Sequence, residues 1–166
     1  MNYFFFDASA LAKRYIAEIG SDAVDLIFNK TAPARTCCLL LGVGETTSIL
    51  VRARNGGKLS PPEFQKQIAT FHSEIVNNDE FLKFDAERAE IYESFELIEK
   101  FSINATDAIV LRIALTFKAT AEEIGQALVL VCSDKRLIRA AEKSGITVCD
   151  PEQVTLAEVQ RLIDAE

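Results

Sequence analysis

The sequence predicts an α/β protein, a three-layer α/β/α sandwich around a central parallel sheet of about five strands. Short apolar runs, each the length of one buried strand, alternate with segments of helical periodicity. That alternation implies right-handed βαβ crossovers and a parallel sheet covered on both faces. The segments are also punctuated by capping residues before helices and glycines after them. Finally, the first apolar run, Tyr3-Phe4-Phe5-Phe6, ends abruptly at Asp7, and Ala127-Leu128-Val129-Leu130-Val131 is followed closely by Asp134.

With 166 residues, 49% hydrophobic and 26% charged, the chain reads as one ordinary globular domain over 1–166. The opening apolar run meets an acid too soon to be a signal peptide or a membrane span, so the expected location is the cytoplasm and no membrane is involved. Cys37, Cys38, Cys132 and Cys149 show no C-x-x-C spacing and lie in apolar runs, which predicts buried free thiols. A net charge of −7 argues against broad adhesion to nucleic acid, but not against acids gathered around a cation. The single histidine, His72, follows Phe71 in a helical pattern and reads as structural or surface, which leaves no histidine pair for catalysis.

Taken in order, residues 3–6 form the first strand and 9–18 a helix, broken at Gly20 before a second helix over 21–29. Pro33 marks a turn, and 36–39 is a short strand. Helical periodicity then runs from 40 to 54 and stops at Asn55-Gly56-Gly57. Ser60-Pro61-Pro62-Glu63 has the spacing of a capping box with proline at the first helical position. Phe64, Ile68, Phe71 and Ile75 continue that helix. A third strand over 81–84 precedes a helix capped by Asp85, with Ile91, Phe95 and Ile98 on its apolar face. Residues 104–117 form a helix that is apolar nearly all round, as a buried helix is, and 118–125 is expected to be a mobile loop. A strand over 127–131, a helix after Asp134, a strand over 146–149 and a helix opened by Thr155 and Glu158 complete the chain.

Four acids occupy unusual places in this layout. Asp7 ends strand one and Asp134 follows strand four, where a reversal of sheet order opens a ligand crevice. Glu45, within Gly42-Val43-Gly44-Glu45-Thr46-Thr47, and Asp107, within Asn104-Ala105-Thr106-Asp107-Ala108-Ile109, stand near helix starts that can reach the same crevice. Singly, each has a plainer reading: Asp7, Ser9 and Asp134 as helix caps, Asp107 as a first-turn acid behind Asn104, Glu45 as a solvated residue. Together they suggest a shared site. Oxygen-only ligands suit a hard cation, Mg²⁺ or Mn²⁺.

Phe6-Asp7-Ala8-Ser9-Ala10-Leu11, Glu45 with Ser48, Leu50 and Arg52, Thr106-Asp107-Ala108-Ile109 and Ser133-Asp134-Lys135-Arg136-Leu137 together resemble the PIN domain family, most closely its VapC-type toxin ribonucleases. The resemblance covers nearly the whole chain. It implies sheet order 3-2-1-4-5 and a Mg²⁺- or Mn²⁺-dependent endoribonuclease whose acidic quartet is Asp7, Glu45, Asp107 and Asp134. Ser9 matches a small hydroxyl residue beside the first acid. The chain departs from the family where Cys132 replaces a threonine two residues before the last acid, with Ser133 next to it. The resemblance also implies an RNA substrate, a cognate antitoxin and a homodimer.

The expected chemistry is hydrolysis by an activated water, with Asp7 and Asp107 as direct ligands and Asp134 and Glu45 acting through water or at a second ion. Lys13, Arg14, Arg52, Arg112, Lys135 and Arg136 are candidate phosphate contacts, against the plainer alternative of surface ion pairs. Two rivals stand beside this. A haloacid-dehalogenase-like phosphatase would want a second aspartate where this chain has Ser9, and a non-catalytic PIN-like module would bind RNA or protein without cleaving.

Overall fold

The computed structural model describes residues 1–165. Five parallel strands, β1 (Asn2–Phe6), β2 (Thr36–Leu39), β3 (Leu82–Phe84), β4 (Ala127–Val131) and β5 (Thr147–Cys149), form one sheet in the order β3-β2-β1-β4-β5. The expected α/β fold and its strand order are therefore what the chain adopts.

Side-chain alternation along each strand divides the core into two halves. Phe4, Phe6, Cys38, Val129 and Val131 point to one side, where they meet Leu11, Val24, Ile27, Leu50, Phe71 and Val159. Phe5, Cys37, Leu39, Leu128 and Leu130 point to the other, against Ala108, Leu111, Ile113, Leu137 and Ala141. The first side is covered by α1 (Ala8–Leu11), α2 (Ser21–Lys30), α3 (Leu40–Asn55), α4 (Pro61–Phe71) and α8 (Leu156–Asp164). The second is covered by α5 (Arg88–Phe101), α6 (Ala105–Glu123) and α7 (Lys135–Lys143).

Register decides where the functional edge falls. Phe6 of β1 pairs with Cys38 of β2 and with Val131 of β4. β1 and β4 thus end level and β2 runs one residue further, so the chain beyond each emerges at the same carboxyl edge. Because β2 and β4 lie on opposite sides of β1, the connections diverge there and leave a crevice.

Several sequence expectations need correction. The helix after Asp7 is only one turn of α-helix followed by a 3₁₀ turn over Ala12–Arg14, because Lys13 Nζ is turned inward to Glu18 and the Ile19 carbonyl and the chain folds back around it. The α4 helix widens into a π turn over His72–Val76. The cap of α5 is Glu87 with Glu90, not Asp85, and Ile91 and Phe95 are exposed while Leu97, Ile98 and Phe101 face the core. The segment expected to be a mobile loop is helical to Glu123: buried Ala121 anchors it, a Lys118–Glu122 pair at 2.7 Å spans one turn, and Gly125 at φ +69° ends it. The capping boxes at Ser60 and Thr155 form, the four cysteines are free and buried, and His72 is exposed. Among the described residues no helix is long and apolar enough to cross a membrane.

Candidate active site

Three of the four acids are fixed by local backbone geometry. Asp7 caps α1, its Oδ2 accepting the Ser9 N–H at 3.0 Å. Asp134 caps α7, its Oδ1 accepting the N–H groups of Arg136 at 2.7 Å and Leu137 at 3.1 Å. Asp107 donates its N–H to the Asn104 cap, and its Oδ2 accepts from Asn104 Nδ2, both at 2.9 Å. In each case only one carboxylate oxygen takes part in these bonds. Capping and site chemistry are therefore not alternatives: capping aims each carboxylate and leaves its second oxygen for a ligand.

Glu45 comes from the second turn of α3. Residues 45, 48, 49 and 52 follow helical spacing, so Glu45, Ser48, Ile49 and Arg52 share one face. That face closes a cavity of about 310 Å³ whose wall is completed by Asp7, Ala8, Ser9, Asp107 and Asp134. All four predicted acids, with Ser9 and Arg52, are thus brought together at the carboxyl edge between β1 and β4. Ile49 was not anticipated as a lining residue, although its place one turn after Glu45 was visible.

The acids feel one another. Burial, then the charges of Asp134 and Asp7, push the Asp107 carboxyl up to about 6 from 3.8, against the lowering hydrogen bond from Asn104; Glu45 adds to the rise. Burial and the Asp7 charge likewise raise Glu45, while Arg52 opposes the rise. Among the described residues Arg52 is the one cation on the cavity wall. An oxygen-only set of four carboxylates suits a hard divalent cation, whose charge would relieve this repulsion. The set is not drawn in as a finished cage: among the described residues, no three His, Cys, Asp or Glu side chains are grouped closely enough to hold an ion.

Cys132 stands at the hinge of this arrangement. Fully buried, its Sγ lies 3.9 Å from Asp7 Oδ2 and from Ser9 Oγ, and it accepts the Asp134 N–H at 3.3 Å. Burial, then the nearby Asp7, push the thiol well above its ordinary range. Ser9 Oγ accepts the Ser133 N–H at 3.1 Å, and Ser133 Oγ is buried without a hydrogen-bond partner among the described residues. The site's hydroxyl is thus supplied by Ser9, tying the start of α1 to the end of β4.

Four of the six candidate phosphate contacts are engaged elsewhere. Lys13 is buried and bonded to Glu18 and Glu152 at 3.1 and 2.8 Å. Arg14 pairs with Asp25 and Glu74 at 2.8 and 2.9 Å and lies over the Phe28 ring. Arg112 reaches Glu93 at 2.8 Å and so joins α6 to α5, while Lys135 pairs with Asp150. Adjacency in sequence to a site acid does not aim a side chain at the site, because consecutive helical residues point in different directions. Arg136 lines a separate shallow cavity, and only Arg52 faces the acids.

Three solved structures share this architecture. The crystal structure of PAE2754 from Pyrobaculum aerophilum superposes with a TM-score of 0.59 at 17% identity, covering 96% of this chain and 98% of that one. A toxin-antitoxin complex from Klebsiella pneumoniae gives 0.54 at 16% identity, over 90% of this chain and 98% of that one. FitAcB from Neisseria gonorrhoeae gives 0.58 at 14% identity, over 91% and 99%. What they share with this chain is the fold. No family model and no curated protein matches in sequence.

Proposed function

We propose that the protein is a Mg²⁺- or Mn²⁺-dependent endoribonuclease, the toxin of a toxin–antitoxin pair. One observation carries this reading: four carboxylates from four separate elements line a single cavity at the sheet's switch point, with Arg52 on the same wall as Glu45. The resemblance of the sequence to VapC-type ribonucleases and the toxin–antitoxin complex among the structural neighbours support it.

Asp7 and Asp107 would hold the ion directly, with Asp134 and Glu45 outside them. Bound there, the ion supplies Lewis-acid activation of a water and neutralises charge on the scissile phosphate. Arg52 offers guanidinium donors to phosphate oxygens and balances Glu45. Burial and acidic neighbours raise both the Asp107 and the Glu45 carboxyl, a repulsion that a bound divalent ion would relieve. Ser9 and Cys132 act by position, keeping Asp7 and Asp134 level across β1 and β4.

The partners on this reading are RNA, a second copy of the chain, and an antitoxin whose arginine enters the acidic cavity to pair with its carboxylates. Mass measurement on the purified protein tests the dimer, and co-purification of a small DNA-binding protein from the native cell tests the antitoxin.

The deciding experiment is cleavage of a mixed RNA pool with Mn²⁺, Mg²⁺ or EDTA, using wild type and Asp107→Asn, with fragment ends mapped. Attack by water predicts metal-dependent cuts with 5′-phosphate and 3′-hydroxyl ends that vanish in the variant. Cyclic 2′,3′-phosphate ends would overturn the mechanism. A second reading, a PIN-like module that binds without cleaving, is favoured by the loose spacing of the acids. RNA bound tightly without metal and never turned over would establish it.

A further inference from the structure

We propose that the outer face of α7, with Lys100 of α5 beside it, is a track for the phosphate backbone of a single-stranded RNA leading away from the acidic cavity. The proposal rests on the nuclease reading above and names how the substrate is held.

Arg136, Arg139 and Lys143 recur at helical spacing along α7 and form one exposed stripe. Together with Lys100 they line a cavity of about 130 Å³, separate from the acidic one. Among the described residues none of the four has a carboxylate within ion-pair distance, whereas Lys13, Arg14, Lys58, Arg112, Lys118 and Lys135 all do. Even Glu142, on the same helix, makes no ion pair with them. In a chain of net charge −7, four unneutralised cations in one place form a local field opposite to that of the whole.

Position gives this field its meaning. The stripe begins two residues after Asp134, whose Oδ1 accepts the Arg136 N–H, so α7 is pinned at one end to the acidic cavity. From Arg136 to Lys143 the helix rises roughly 10 Å, enough to meet more than one phosphate of a strand. The acidic cavity alone repels RNA, and Arg52 is its single cation among the described residues. A polyanion needs a second, cationic hold outside it, and long flexible Arg and Lys side chains provide one without reading sequence.

The test compares wild type with the triple variant Arg136→Gln/Arg139→Gln/Lys143→Gln and with Lys135→Gln, an ion-paired control on the same helix. Binding of a fluorescent single-stranded RNA in EDTA is measured across a salt series, and cleavage kinetics are measured in Mn²⁺. Each lost phosphate contact lowers the slope of log affinity against log salt by about 0.7, so the triple variant should lose between about 1 and 2. Its KM for long RNA should rise roughly tenfold with kcat little changed, since such contacts add uniform binding. Lys135→Gln should behave as wild type. Equal affinity and slope in the triple variant, or no RNA affinity in wild type, overturns the track. Loss of affinity for poly-glutamate with RNA affinity intact would assign the stripe to an acidic protein and overturn it equally. Binding lost in the triple variant while wild type never cleaves would remove the nuclease reading and leave the track standing.

Discussion

Cys132 Sγ lies 3.9 Å from Asp7 Oδ2 and accepts the Asp134 N–H at 3.3 Å, so one buried sulfur joins the acids that end β1 and open α7. A serine hydroxyl keeps both the donor and the acceptor, whereas alanine leaves the Asp134 N–H unpaired. Cys132→Ala should therefore cost about 1–3 kcal/mol and Cys132→Ser distinctly less, read from urea midpoints. Equal losses in the two variants would mean that the sulfur fills space and holds nothing.

Asp107 links stability to pH. Its folded carboxyl titrates at about 6, above its unfolded value near 3.8. The native state therefore binds the proton more tightly, and the cost of ionisation is absent below the unfolded value and complete above the folded one. Asp107→Asn removes that cost while keeping an oxygen for Asn104. In EDTA the variant should melt higher than wild type at about pH 8 and show little difference at about pH 3.5. A lower melting point at both would contradict the raised carboxyl. On the nuclease reading the same variant should lose cleavage, so stability and function would oppose each other at this residue.

Divalent cations should act on the same groups. Mn²⁺ should raise the melting temperature of wild type progressively with concentration, because binding is confined to the folded state. Asp7→Asn and Asp107→Asn should abolish the rise. Calorimetry in buffers of different ionisation enthalpy should show proton release near about pH 6, where Asp107 is partly protonated, and little at about pH 8. No stabilisation by any divalent ion would leave the non-catalytic module as the better reading.

The strands, the parallel α/β layout and the placing of four acids near one sheet edge were legible from short-range rules: apolar runs of strand length, capping spacings, and acids just beyond strand ends. The order 3-2-1-4-5 came only with the resemblance to the PIN domain family. Phe6 and Val131 are adjacent in the sheet, so Asp7 and Asp134 were bound to share an edge. What escaped the sequence depends on distant partners. Lys13 sits inward because Glu152, far along the chain, meets it, and Arg14 is drawn to Glu74. Ile91 and Phe95 have core-like spacing on α5, yet the inward face is set by Leu97, Ile98 and Phe101 packing near α6. The 118–125 segment looked like a loop because its polar residues were visible, while the burial of Ala121 was not.

Lys13 supplies a prediction that separates structure from substrate contact. Its side chain is 4% exposed, and it bonds to two carboxylates and the Ile19 carbonyl. Both carboxylates are about one-third exposed, so water can replace part of what they lose. Lys13→Met should cost about 1–3 kcal/mol, below the range for a wholly buried pair. The surviving folded fraction should keep wild-type kcat and KM. A raised KM without loss of stability would return Lys13 to the substrate.

Arg52 carries the most informative substitution because its two roles separate. It restrains the rise of Glu45, and among the described residues it is the one cation on the wall of the acidic cavity. If its charge alone matters, Arg52→Lys keeps activity and only Arg52→Gln loses it. If it grips phosphate through two parallel N–H groups, lysine cannot reproduce the fork and both variants fail. The geometry favours the fork, since Arg52 forms no ion pair within the described residues and its guanidinium is left for an incoming anion. Both variants should therefore lower kcat/KM about 100-fold, the range of one donor aimed at developing charge. Arg52→Gln should also move the acidic limb of the pH–rate profile upward, because Glu45 loses the charge that holds it down. Arg52→Lys should not. Full activity in both variants would remove Arg52 from the site and leave the α7 stripe as the only phosphate hold.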